Sequence, residues 1–139
     1  MRGQLWDMFV ILLTLGFLIF VVNTAFTAIG EVIKLNAVVN QEKITGVINV
    51  LQSSPPVTRQ VYTLPEGECS LVVKAYGPLA IVNMTTVASG TRQSALGELL
   101  MTGVAIDDAN VECSDRGETR VYFTRCANAV RITTSELVC

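Results

Sequence analysis

The residues best suited to covalent chemistry are four cysteines, Cys69, Cys113, Cys126 and Cys139, all in the C-terminal part of the chain. An even number of widely spaced cysteines favours two disulfides, and disulfides persist in oxidising compartments such as the cell exterior. The spacing leaves all three possible pairings open. A zinc site is disfavoured, because the chain has no histidine and no pair of cysteines separated by two residues.

Carboxylates are the next candidates for chemistry. Asp107 and Asp108 are followed by Asn110 and Glu112, and oxygen atoms of this kind can bind Ca²⁺. The spacing is not that of a calcium-binding EF-hand loop, and a solvated turn between strands is the more common structure for such a sequence. We therefore expect no metal and no cofactor.

Several classes of function are excluded by what the sequence lacks. Without histidine, neither a Ser-His nor a Cys-His pair can be assembled, and there is no glycine-rich phosphate loop. The net charge is −2, and no run of basic residues offers a nucleic-acid surface. The sequence therefore predicts neither an enzyme nor a nucleic-acid partner. Its one modification motif is the sequon Asn83-Met84-Thr85, which makes Asn83 a candidate glycosylation site.

An uncharged segment of twenty-three residues, Met8 to Gly30, dominates the N-terminal part of the chain. A helix of this length, at about 1.5 Å per residue, spans the roughly 30 Å hydrocarbon core of a membrane. Its apolar residues surround the helix instead of forming one face, so we expect a membrane-residing helix. Charge balance near Arg2 gives a slight preference for a cytoplasmic N-terminus, which leaves the cysteines outside the cell.

The helical pattern continues beyond the membrane segment. Residues 31–51 contain no proline, and spacings of three and four predict an apolar stripe made of Val32, Leu35, Val39, Val47, Ile48 and Leu51, with Val38 and Ile44 beside it. Polar residues that include Asn40, Gln41 and Glu42 are assigned to the opposite side. Pro55-Pro56 must end the helix. We predict one helix from about Gln4 to Gln52, with a membrane part over 8–30 and an amphipathic part over 31–52.

The remaining residues, 53–139, predict a small antiparallel β-sandwich-like head, so the fold class is α+β. Expected strands are 57–63, 69–75, 79–83, a weak one over 85–91, and 99–106, followed by 109–113, 118–126 and 128–133. Ser114-Asp115-Arg116-Gly117 is a turn sequence, and it predicts a hairpin between the two strands beside it.

A long apolar N-terminal helix followed by a compact β head resembles the type IV pilin superfamily. Arg2-Gly3 before Gln4 is similar to the site that the prepilin peptidase cuts ahead of the apolar helix, so Gly3 and Gln4 form a candidate processing site. Cleavage there would make Met8 the fifth mature residue, where bacterial pilins carry an acidic residue. Archaeal pilins and archaellins often lack that residue, and the chain resembles the archaeal branch more closely.

The resemblance implies a structural subunit of an extracellular, pilus-like filament with a role in adhesion or motility. Its partners would be copies of itself, the membrane before assembly, the pilus assembly machinery and the prepilin peptidase. Gly16 would permit close packing between helices. The alternative is a permanently anchored single-pass protein with a β-rich binding ectodomain, such as a stator-like accessory protein of the archaellum.

Overall fold

The computed structural model describes residues 2–136 and 139. It contains one helix, α1 (Arg2–Ser53), followed by eight strands. The strands are β1 (Arg59–Leu64), β2 (Cys69–Tyr76), β3 (Leu79–Ala88), β4 (Thr91–Leu100), β5 (Ala105–Ile106), β6 (Ala109–Glu112), β7 (Thr119–Arg125) and β8 (Ala129–Thr133). The predicted α+β fold, with a long N-terminal helix and a β head, is confirmed.

The helix ends where the sequence predicts. Pro55-Pro56 follows its last turn, and the backbone N–H of Ser54 donates to the carbonyl of Leu51 at 3.1 Å. The chain divides into two compact units, one ending at Val32 and the other comprising Ile33–Cys139. The predicted domain boundary at residue 52 follows the end of the helix, whereas the second compact unit also takes in the helical residues from Ile33 onward.

The strands form two four-stranded sheets. The first has the order β1-β7-β8-β5, and the second has the order β4-β3-β2-β6. All pairs are antiparallel except β5 with β8. Asp107 and Asp108 link β5 to β6 and so carry the chain from one sheet to the other.

Helix α1 contributes directly to the core of this second unit. Ile44, Ile48 and Leu51 are completely buried and join one cluster with residues of both sheets, among them Leu71 and Phe123. Polar contacts extend the docking to the edge strands. The Tyr62 hydroxyl of β1 donates to Asn40, and the Gln52 amide contacts Thr102 and the carbonyl of Leu100. The helix therefore packs beside β1 of one sheet and β4 of the other.

The predicted apolar stripe is wrong in its N-terminal half. Leu35 and Val39 are exposed, as is Val32 in the first unit, whereas Ile33 and Ala37 are buried. Two residues assigned to the polar side, Asn40 and Gln41, are also buried. Apolar residues occur on two faces of this helix, and the face that packs on the head includes amides whose hydrogen bonds are satisfied.

Two predicted strand arrangements are also corrected. The strands on either side of Ser114–Gly117 do not form a hairpin, because β6 pairs with β2 whereas β7 pairs with β1 and β8. The turn instead passes from one sheet to the other. The expected strand over 99–106 is broken, since β4 ends at Leu100 and Gly103 adopts a left-handed backbone with φ of 78° before β5 begins.

Candidate functional site

The four cysteines form two disulfides, so the expectation of disulfide bonding is met. Cys69 at the start of β2 pairs with Cys113 just after β6, with their Cα atoms 5.0 Å apart. Cys126, which follows β7, pairs with Cys139, with a Cα separation of 5.5 Å. Both bridges lie in the second unit and close loops there. Disulfides of this kind are typical of proteins outside the cytoplasm.

The apolar segment of α1 is the largest exposed apolar surface of the described chain. Every residue from Gly3 to Ile29 is exposed. The part that could cross a membrane has a mean hydropathy of 2.5 and is 0% buried, and among the described residues this is the one helix that is long and apolar enough to do so. Burying such a surface is strongly favourable, at about 25 cal/mol per Å². The segment indicates membrane insertion.

The three threonine hydroxyl groups of this segment are satisfied within the helix. The hydroxyl groups of Thr14, Thr24 and Thr27 donate to backbone carbonyls four residues earlier, at 2.9, 2.6 and 2.9 Å. They therefore enter lipid or a helix bundle without an unsatisfied donor. Around Gly16, no atom lies within 4 Å of the position that a Cβ would occupy. The surface beside Gly16 is thus open to close approach by another helix.

The candidate processing residues lie at the start of the helix. Gly3 and Gln4 are both exposed and helical. A peptidase that cuts between them needs an extended backbone, so the first turn would have to open for cleavage. Helix ends lack part of their hydrogen bonding and fray readily, so opening the first turn costs little free energy.

Asn83 occupies the centre of β3, with β2 on one side and β4 on the other. It is half-buried on the face of the sheet opposite to the core, between Val72 and Leu96. Thr85 of the same sequon shares a hydrogen bond of 2.9 Å with the hydroxyl of Ser94. Glycosylation of Asn83 stays a prediction. The Asn83 side chain would have to be modified before the sheet forms, or afterwards from the outer face of the sheet.

The acidic residues considered for Ca²⁺ have other roles. Asp107 forms an ion pair with Arg131 at 3.4 Å, and Asp108 accepts a hydrogen bond from the backbone N–H of Ala75 at 2.8 Å. These contacts fasten the link between β5 and β6. Within residues 2–136 and 139, no group of three or more acidic, cysteine or histidine side chains is arranged to hold a metal ion.

The exposure of two apolar surfaces in the second unit was not predicted from the sequence. One lies on α1, where Leu35, Val39 and Val50 face outward. The other lies on the outer face of the second sheet, at Tyr76, Leu79, Leu96 and Leu100. Leu79 pairs across strands with both Tyr76 and Leu100, so three of these side chains lie side by side. The alternation of β4 could have revealed the second surface, since Leu96 and Leu100 share a face with Glu98.

Comparisons with protein-family models, with curated proteins and with solved structures give no match for this chain. The function is therefore inferred from the geometry of this chain alone. This geometry consists of one continuous helix, an exposed apolar segment at its N-terminal end, and a disulfide-bonded β-sandwich whose core includes the C-terminal end of the same helix.

Proposed function

We propose that this chain is a structural subunit of an extracellular, pilus-like filament. The observation that carries the proposal is the continuity of α1, which supplies both the apolar segment and three fully buried residues of the head core, Ile44, Ile48 and Leu51. A simple membrane anchor works equally well through a flexible polar linker. A filament subunit needs its packing helix fixed to the domain that it displays.

In this proposal, assembly replaces the contacts of the apolar helix with lipid by contacts with the helices of other copies. Copies wait in the membrane with the 8–30 segment inserted, and after extraction these segments pack on one another. Helix packing without water relies on close contact and small residues, which Gly16 provides. The disulfide-bonded heads form the outer surface, and each disulfide typically stabilises a small domain by about 2–4 kcal/mol. Processing by a prepilin peptidase would leave Gln4 as the first residue, which N-terminal sequencing of native filaments detects.

The experiment combines electron microscopy of native protein with two helix variants. Leu15→Lys places a charge in the packed core, but it also weakens membrane insertion by roughly 2.5–3.5 kcal/mol. Gly16→Leu is sharper, because it raises hydrophobicity and fits the isolated helix, where the Cβ position is open. We expect normal abundance of Gly16→Leu in the membrane fraction and a reduced yield of sheared filaments.

The matched control is Ala25→Leu, the same small-to-large change on the opposite face, since nine residues correspond to about two and a half turns of helix. It separates a tight contact at Gly16 from a general intolerance to bulk. Filaments of wild-type yield from Gly16→Leu would show that Gly16 is not at a tight contact. Filaments from inserted Leu15→Lys protein would show that the helices are not the filament core.

The second candidate is an anchored protein whose ectodomain binds a partner, as a stator-like accessory protein would. The exposed row of Tyr76, Leu79 and Leu100 on the second sheet favours it, because contiguous apolar surface often marks a protein contact. The same microscopy distinguishes the two functions. An anchored protein gives no filaments from wild-type cells and retains Met1 or another uncut N-terminus.

A further inference from the structure

The amphipathic part of α1 has a second apolar face in addition to the one that packs on the head. Leu35, Val39 and Val50 are exposed, and Gly46 lies between them with no atom within 4 Å of its Cβ position. At about 100° per residue, these four positions fall within an arc of roughly 60°. They form a narrow stripe of the kind that pairs helices, which we call the outer stripe.

The outer stripe is bordered by opposite charges. Glu42 and Lys43 are neighbours in sequence, so they project about 100° apart and lie on opposite sides of the stripe. Both are exposed. Within the described part of the chain, neither residue has an ion-pair or hydrogen-bond partner. The stripe thus carries an acidic flank and a basic flank at nearly the same height, about 1.5 Å apart along the axis.

This arrangement distinguishes between orientations of a second helix. If two copies pack stripe to stripe in parallel, Glu42 of one copy faces Lys43 of the other, and the reverse pair forms on the other side. In an antiparallel pair, each flank meets its own kind, so Glu42 would face Glu42. Charges beside a helix seam select partner and orientation in this way. Copies inserted in one membrane through the same N-terminal segment are already parallel.

We propose that the outer stripe is the docking surface for the same segment of a second copy of this chain, in parallel orientation and with Glu42 against Lys43. The proposal rests on the proposed function, in that it names a two-fold contact that pairs filament subunits outside the apolar core. Gly46 lets the two backbones approach to the 8–10 Å typical of packed helices. Leu35, Val39 and Val50 bury their apolar surface in the contact.

Cross-linking between isotopically distinct copies tests the contact directly. Full-length protein is produced in membranes as an equal mixture of ¹⁵N-labelled and unlabelled chains and treated with a carbodiimide, which joins a carboxylate to an amine only when they touch. We expect isopeptides between Glu42 and Lys43 that contain one labelled and one unlabelled peptide. Links found only within single chains, or between copies at Lys34 or Lys74 instead, would overturn the proposal.

Charge reversal provides a second, independent test in cells that form filaments. Glu42→Lys and Lys43→Glu each place like charges together and should lower filament yield roughly tenfold. The double variant E42K/K43E restores opposite charges with the flanks exchanged, and it should return both the yield and the mixed-isotope cross-link. Lys34→Glu, an exposed residue of the same helix outside the stripe, is the control and should assemble normally.

The outcomes separate this contact from the filament function. The contact is overturned, and the filament function is not, if the single charge reversals assemble like wild type. The same holds if, at equal membrane abundance, the double variant is as defective as the single variants. A cross-link in wild-type membranes without any filaments overturns the proposed function and leaves the contact in place. Cross-linking of Glu42 to a different protein would assign the stripe to another occupant and overturn the proposal.

Discussion

Tyr62 shows how one hydrogen bond ties the helix to the head. Its hydroxyl donates to the side-chain oxygen of Asn40, whose amide in turn donates to the carbonyl of Asn36 at 2.9 Å. Burial raises the pKa of Tyr62 above its usual value of 10.0. A phenolate cannot donate, so the contact requires the protonated form.

This contact predicts a stability loss in alkaline solution. Because the pKa of Tyr62 is raised in the folded state, its contribution is complete below the unfolded-state pKa and is lost as the pH rises from about 10 through the folded-state pKa. Tyr62→Phe should be less stable at neutral pH and should show a shallower decline above pH ~10. The measurement is chemical unfolding of detergent-solubilised protein at several pH values. Parallel pH profiles for the two proteins would contradict this role.

Gly97 makes room for a buried amide. A Cβ at this position in β4 would lie 1.6 Å from the side-chain nitrogen of Gln41, which also donates to Thr45 at 2.8 Å. Gly97→Ala must therefore displace Gln41 or move the helix away, and we expect it to destabilise the protein by about 1–3 kcal/mol.

The control is Gly117→Ala, the same change in a turn of the head where nothing lies within 4 Å of the Cβ position, and it should change the stability by less than about 0.5 kcal/mol. Thermal unfolding of the two variants beside wild type provides the comparison. Equal shifts in Tm would mean that Gly97 does not set the distance between helix and sheet.

At the scale of elements, periodicity predicted the existence of α1 but not the orientation of its amphipathic part. Ile33 and Ala37 on one face, and Leu35 and Val39 on the other, satisfy helical spacing equally well. Asn40 decides the matter only through Tyr62 of β1, a partner that is invisible until the fold brings the two together, whereas Gln41 bonds to Thr45 within the helix. The buried face is therefore chosen by tertiary hydrogen bonds that no local pattern encodes.

We also predict that the head cannot fold without the C-terminal part of the helix. A chain that starts at Ile33 retains Ile44, Ile48 and Leu51, whereas a chain that starts at Ser54 loses them from the core. Burying three such side chains contributes roughly 5–9 kcal/mol, which is comparable to the whole stability of a small domain. We expect the longer truncation product to be folded and soluble and the shorter one to aggregate.

Circular dichroism and hydrogen exchange of the two truncated chains measure this difference, with both disulfides verified by intact mass before and after reduction. Cooperative unfolding of the 54–139 chain at the midpoint of the 33–139 chain would contradict it. The head would then be an independent sandwich, and the helix only a neighbour.

At the scale of the whole molecule, the sequence predicted a long helix and a small β head but not the order of strands. Ser114–Gly117 has the composition of a hairpin turn, yet β6 and β7 belong to different sheets. The alternation of apolar and polar residues specifies which face of a strand is buried. It does not specify which other strand pairs with it. The disulfide from Cys69 to Cys113 draws the end of β6 to β2, and that cross-link between distant segments has no local signal.

The helix residues in the head core have a consequence for biosynthesis. Ile44, Ile48 and Leu51 leave the ribosome before any strand of the head, but their core partners Phe123, Val130 and Ile132 belong to β7 and β8 and are made after the other strands. Pairings between distant segments, such as β1 with β7, make closure slow as well as late. Throughout that interval, Ile44, Ile48 and Leu51 have no head core to pack against. The apolar face that they form is therefore open to other apolar surfaces until β7 and β8 are in place, and completion of the sandwich is the event that covers it.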